Sequence, residues 1–226
     1  VEIDSFSAIA WMNWGYALTE YGRLTKDIEE SRQCLKDACE KCEQASQNDP
    51  NMDETWGSWG YALMQYGKRM KDVEQSRQCF NDACEKYEQA IEIDSSSAVT
   101  WLNWGYALIL YGEQTNDVKE SLQCFQRACE KCEEATKIDP SNAVAWMNWS
   151  SAHANQGQRT NDVEESRRCF KDACKKCEEA IELDPNSATA WHIWGSILML
   201  HGDRTHNPEE SRQCFNDAFQ KFEKAI

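Results

Sequence analysis

Twelve cysteines are the most reactive side chains of this chain, and their spacing decides what they can do. Cys34, Cys79, Cys124, Cys169 and Cys214 recur every 45 residues. A second column, Cys39, Cys84, Cys129 and Cys174, ends at Phe219. A third, Cys42, Cys132 and Cys177, is completed by Tyr87 and Phe222. Zinc needs four converging ligands, yet Cys39-x2-Cys42 becomes Cys84-x2-Tyr87 one period later, so no metal site is expected. Covalent haem attachment needs a histidine after the second cysteine, where Glu43, Glu133 and Glu178 stand. Aromatic replacements identify the third column as a large apolar site in which thiols act as small hydrophobes. On a helix the first two columns lie about 140° apart, so each looks towards a different neighbouring repeat. If the second-column cysteine of one repeat meets the first-column cysteine of the next, the candidate disulfides are Cys39 with Cys79, Cys84 with Cys124, Cys129 with Cys169, and Cys174 with Cys214; the opposite pairing direction would leave one junction unbridged, because Phe219 replaces the needed thiol. Bridges would suit an extracellular or cell-surface setting and reduced core thiols the cytoplasm; the sequence leaves both open.

Catalysis finds no support. His153, His192, His201 and His206 occupy four different repeat positions, and no nucleophile, base and orienting group recur together. No phosphate loop is present, and neither an enzyme nor a cofactor is expected. The chain carries 24 Lys+Arg against 39 Asp+Glu, a net charge of −15 that opposes sequence-independent binding of nucleic acid. Mean hydropathy is −0.77, and no apolar run approaches the roughly 18 residues of a spanning helix, so no membrane partner is expected. Lys41, Lys86, Lys131, Lys176 and Lys221 form a stripe two residues before glutamates, which is expected to be solvated or laterally salt-bridged.

All these columns rest on one repeat. Trp11, Trp56, Trp101, Trp146 and Trp191 lie 45 residues apart, and Trp14, Trp59, Trp104, Trp149 and Trp194 follow the same step. A fixed period of this size marks a stacked solenoid, with regularly spaced aromatics in its core. Within a period the apolar spacing is helical, as in Ala8, Trp11, Trp14, Leu18 and again in Ala38, Cys42, Ala45, so each repeat reads as two helices. The first is expected to stop at Gly22, Gly67, Gly112, Gly157 and Gly202. The second is expected to start at caps Asp27, Asp72, Asp117 and Asp162, with Asn207-Pro208 in the last repeat. The repeat bounds are 11–55, 56–100, 101–145, 146–190 and an incomplete 191–226, preceded by residues 1–10 as the tail of an earlier repeat.

Trp101, Trp104-Gly105, Ala128, Cys132, Ala135 and Pro140 resemble the signature of the tetratricopeptide repeat family, with the usual period of 34 extended by about 11 residues. The resemblance covers the whole chain and implies an all-α, right-handed superhelical solenoid of five two-helix repeats. The surplus is expected to lengthen the second helix and the turn before it. The resemblance also implies an inner groove lined by first helices. The matching positions are Met12, Asn13, Tyr16, then Gly57, Ser58, Tyr61, then Leu102, Asn103, Tyr106, and Met147, Asn148, Ser151. An extended peptide is the expected ligand, with single-stranded RNA stacking on the tyrosines as the second choice. Arg23, Lys68, Arg69, Arg159 and Arg204, in the turns after the first helices, would supply local positive charge for RNA if they rim the groove.

Residues Val1 to Ala10 match Ile91 to Thr100, and Ile226 holds the repeat position of Val1, so one copy's end meets the next copy's start almost in register. Head-to-tail contacts of this kind build filaments. The leading expectation is a non-enzymatic structural protein, the protomer of a head-to-tail homopolymer, joined through Ile3, Phe6 and Ile9 on one side and Phe219, Phe222 and Ile226 on the other. The alternative is a scaffold binding its ligand in the groove.

Overall fold

A computed structural model describes residues 5–226, which are all-α apart from short connections. In order, the helices are α1 (Ser5–Leu24), α2 (Ile28–Asn48), α3 (Asp53–Gly67), α4 (Val73–Ile93), α5 (Ala98–Gln114), α6 (Val118–Ile138), α7 (Ala143–Arg159), α8 (Val163–Leu183), α9 (Ala188–Arg204) and α10 (Pro208–Lys224). The chain divides into two compact units, Val1–Gln114 and Thr115–Ile226. In the first, α1 packs on α2 and α3, and α3 on α4 and α5. In the second, α7 packs on α6, α8 and α9, and α9 on α8 and α10.

The second helices start where expected. Asp27, Asp72, Asp117 and Asp162 each accept the amide of the residue three on, and Asn207 accepts those of Glu209 and Glu210 ahead of Pro208. The period's surplus lies in these helices, since α2, α4, α6 and α8 each run 21 residues. Ala38, Ala83, Ala128 and Ala173 are fully buried where helices cross, and Leu35, Phe80, Phe125 and Phe170 fill the space one turn earlier. Each of these larger side chains contributes about 1.5–3 kcal/mol by burial.

The first helices end differently from expectation. Four of them run two residues past the repeated glycine, and no glycine has positive φ. The glycine is required by close approach: a Cβ at Gly67 would lie 2.7 Å from the Phe80 ring, and one at Gly157 3.0 Å from Cys169 Cβ. Its buried carbonyl is met by a serine column one helix on. Ser31, Ser76, Ser166 and Ser211 donate to the carbonyls of Gly22, Gly67, Gly157 and Gly202 at 2.6–2.9 Å. Ser5 to Ser7, equivalent to the turn Ser95–Ser97, continue α1 as helix instead of ending a preceding one; Val1 to Asp4 lie outside the described residues.

The lysine column is not a solvated stripe. Each tryptophan pair stacks at 5.5–5.7 Å, and Lys41, Lys86, Lys176 and Lys221 place their ammonium groups 3.5–4.5 Å from the second ring of the pair. The indoles of Trp56, Trp101, Trp146 and Trp191 donate to loop carbonyls six residues earlier, at 2.9–3.0 Å. The stack therefore ties the first helix, the second helix and the incoming loop together.

Candidate functional site

In the first unit the structure gathers part of the expected groove into a cavity of about 390 Å³. Asp53, Glu54, Gly57, Ser58 and Tyr61 line it from α3, where spacings of three and four residues put them on one face. Tyr16 comes from α1, Tyr87 from α4, and Ser97, Val99, Thr100 and Asn103 from the start of α5 and the turn before it. Gly57 makes the room. Met12, Leu102 and Met147 hold its repeat position, and a Cβ there would touch only Thr100 Oγ1 at 3.6 Å, an ordinary contact.

The walls are aromatic and the rim is acidic. Tyr16 is half exposed, while Tyr61 is held by donating its hydroxyl to Glu20 Oε1 at 3.0 Å; burial and that carboxylate push its phenol up to about 12. Glu20 also pairs with Arg23 at 2.7 Å, and this bond lowers its pKa. Partial burial and the adjacent Glu54 hold the Asp53 carboxyl above its usual range, as expected where two carboxylates share a confined rim. Below them lies Tyr87, fully buried, its ring packed under Gly60, where a Cβ would come within 2.9 Å of it. Among the described residues no group hydrogen-bonds its hydroxyl.

Other expected groove residues lie elsewhere. Tyr106 presents its ring to the Lys68 ammonium at 4.4 Å, Leu102 is buried, Met12 is half-buried and Asn13 is exposed. In the second unit Met147 packs against Ile181, Ala190 and Trp191, and Asn148 is half-buried beside it in sequence. The basic residues assigned to the rim are engaged inside each unit. Arg23 pairs with Glu20, Arg69 donates to the Arg23 carbonyl at 2.8 Å, and Arg159 and Arg204 donate to the carbonyls of Thr115 and Thr160. They clamp successive turns together instead of lining a groove.

Of the residues assigned to end-to-end assembly, Phe6, Ile9, Phe219 and Ile226 are exposed, Phe222 packs under Gly195, and Ile3 lies outside the described residues. Cys39, Cys129 and Cys174 stand as thiols close enough to Cys79, Cys169 and Cys214, respectively, for each pair to interact electrostatically. Burial pushes these thiols up, to about 11 in Cys79 and Cys174 and about 12 in Cys129 and Cys169, so they are neutral near pH 7. Among the described residues no group of three His, Cys, Asp or Glu is placed to hold a metal ion, and no helix is long and apolar enough to cross a membrane.

The repeat folds like known tetratricopeptide proteins at low identity. A crystal structure of MamA aligns with a TM-score of 0.54 at 20% identity over 89% of this chain and 98% of that one. MamA 41-end from Desulfovibrio magneticus RS-1 aligns with a TM-score of 0.64 at 13% identity, covering 97% and 96%. YrrB, described as a TPR protein with an unusual peptide-binding site, aligns with a TM-score of 0.57 at 14% identity, covering 96% and 89%. These likenesses establish the fold alone. No curated protein sequence matches significantly. The sequence profile of the plant-specific mitochondrial import receptor subunit TOM20 matches residues 3–101, 98–171 and 119–226. Together these matches span nearly the whole chain, which belongs to the plant-specific mitochondrial import receptor subunit TOM20 family.

Proposed function

We propose that this interaction scaffold is a peptide receptor whose first unit holds an extended peptide carrying basic and aliphatic side chains. The observation that carries the reading is the cavity opened by Gly57 between Tyr16, Tyr61 and Asn103. Asp53 and Glu54 at its rim, on a chain of net charge −15, favour a basic peptide and disfavour RNA, whose phosphates would find the basic residues already engaged. The description of YrrB as having a peptide-binding site supports the same use of the fold, and the family's description as an import receptor favours a mitochondrial setting over an extracellular one.

Replacing Gly57 with Leu, the residue at this position in the next repeat, fills the cavity without backbone strain and raises helix propensity. In fluorescence anisotropy with a labelled arginine–leucine peptide, the variant is expected to lose binding while melting no lower than the parent. Unchanged affinity would place the peptide elsewhere. A second reading, end-to-end self-association, is favoured by the exposure of Phe6, Ile9 and Phe219. Sedimentation at rising concentration tests it, and a purely monomeric chain would end it.

A further inference from the structure

Tyr87 holds a repeat position that Cys42, Cys132, Cys177 and Phe222 fill elsewhere, none of them with a hydroxyl. Phe222 packs a bare ring under Gly195 as Tyr87 packs its ring under Gly60, with ideal Cβ positions 2.7 and 2.9 Å from the respective rings. Packing alone is therefore served by phenylalanine. The Tyr87 hydroxyl is added to a side chain that has no exposed surface and belongs to a residue lining the groove cavity, and it has no hydrogen-bond partner among the described residues. A buried hydroxyl left in this way destabilises the fold, so its place calls for a ligand that completes it.

The chemistry of that ligand follows from the surroundings. Burial raises the phenol's pKa well above its ordinary value, so the group is a neutral donor near pH 7. The rim carboxylates of Asp53 and Glu54 repel an anionic acceptor such as a chain-terminal carboxylate. A neutral main-chain carbonyl remains, and an extended peptide presents one at every residue. Resting on the peptide-receptor reading, we infer that the Tyr87 hydroxyl is the polar anchor at the floor of the groove, donating a hydrogen bond to a main-chain carbonyl of the bound peptide. Tyr16 and Tyr61 then grip side chains, while Tyr87 fixes the depth and register of the peptide backbone.

The test uses the full chain, its Tyr87→Phe variant and two probes: the labelled arginine–leucine peptide, and a set of the same peptide with single amides replaced by esters, whose carbonyls accept more weakly. Tyr87→Phe is expected to melt at or above the parent temperature and to bind the amide peptide roughly five- to tenfold more weakly. One ester position is expected to weaken binding to the parent and leave binding to Tyr87→Phe unchanged. Equal affinity of parent and variant for the amide peptide, or ester effects identical in both, would overturn the anchor while leaving the peptide reading intact. A parent chain that fails to bind the amide peptide would overturn that reading and the anchor with it.

Discussion

Two crossings of a first helix over its second occupy the same place in the repeat and solve it in opposite ways. In the second unit Ser150 of α7 donates to the Ala173 carbonyl at 2.9 Å and lies 3.0 Å from Cys177 Sγ, so its polar atoms are satisfied inside the crossing. In the first unit Gly60 of α3 gives up its side chain, and the space is taken by Tyr87, a residue lining the cavity whose buried hydroxyl has no partner among the described residues. The groove walls differ in the same sense. Tyr16 and Tyr61 line the first unit's cavity, whereas their counterparts Ser151 and Ser196 bond back to their own helix at 3.0 Å. A column can therefore hold a small hydroxyl bonded back to its own helix in one repeat and an aromatic cavity wall in another.

Exchanging the crossing residues breaks the comparison most sharply. Gly60→Ser alone drives its Cβ into the Tyr87 ring and is expected to cost about 1–3 kcal/mol, measured by urea unfolding. Adding Tyr87→Cys recreates the second unit's pair and should recover most of that loss while removing the groove's floor and its binding. Additive losses would show that the two positions do not act together. Next in size, Ser150→Ala removes the side-chain donor that the buried Ala173 carbonyl accepts in addition to its own helix's amide, and should cost about 0.5–1.5 kcal/mol.

A histidine contribution to pH dependence confined to the second unit follows from composition, because all four histidines fall after Gln114. Burial lowers the pKa of His153 and His201 below the ordinary 6.5. Between the two values the unfolded chain binds more protons than the folded one, so stability falls as pH drops below about 6.5 and the loss is complete below the folded values. Amide protection factors, referred to the intrinsic exchange rate at each pH, are expected to fall in α7 and α9 on going from about pH 7 to about pH 5.5, and not for this reason in α3. An equal fall in both units would refute this assignment. The smallest effect concerns the thiols. Mild diamide oxidation is expected to link Cys129 to Cys169 and Cys174 to Cys214 across repeat junctions in the second unit, and Cys39 to Cys79 in the first. Mapping by mass spectrometry would count against the pairing if Cys34 were found joined to Cys84 instead.

The period, the helix pairs and every second-helix cap were legible, because each depends on residues close in sequence, such as Asp72 with the Gln75 amide. The groove was half legible. Tyr16, Tyr61 and Asn103 followed from the repeat, but Tyr87 read as an apolar replacement for cysteine, since nothing local reveals that Gly60 lets its ring pass. Gly157 and its equivalents read as helix stops because a glycine needed for close approach and one needed for a cap look alike in sequence. Lys86 read as solvated because its partners, Trp56 and Trp59, lie about 30 residues away, on the other helix of the pair.

The central claim is that the first unit, and not the second, holds the peptide. Hydrogen exchange of the full chain with and without saturating arginine–leucine peptide tests it most directly. Protection is expected in α3 and the first turn of α5, around Asp53 to Tyr61 and Val99 to Asn103, with α7 and α9 unchanged. Protection confined to α7 and α9, or absent at a concentration where binding is saturated, would contradict it.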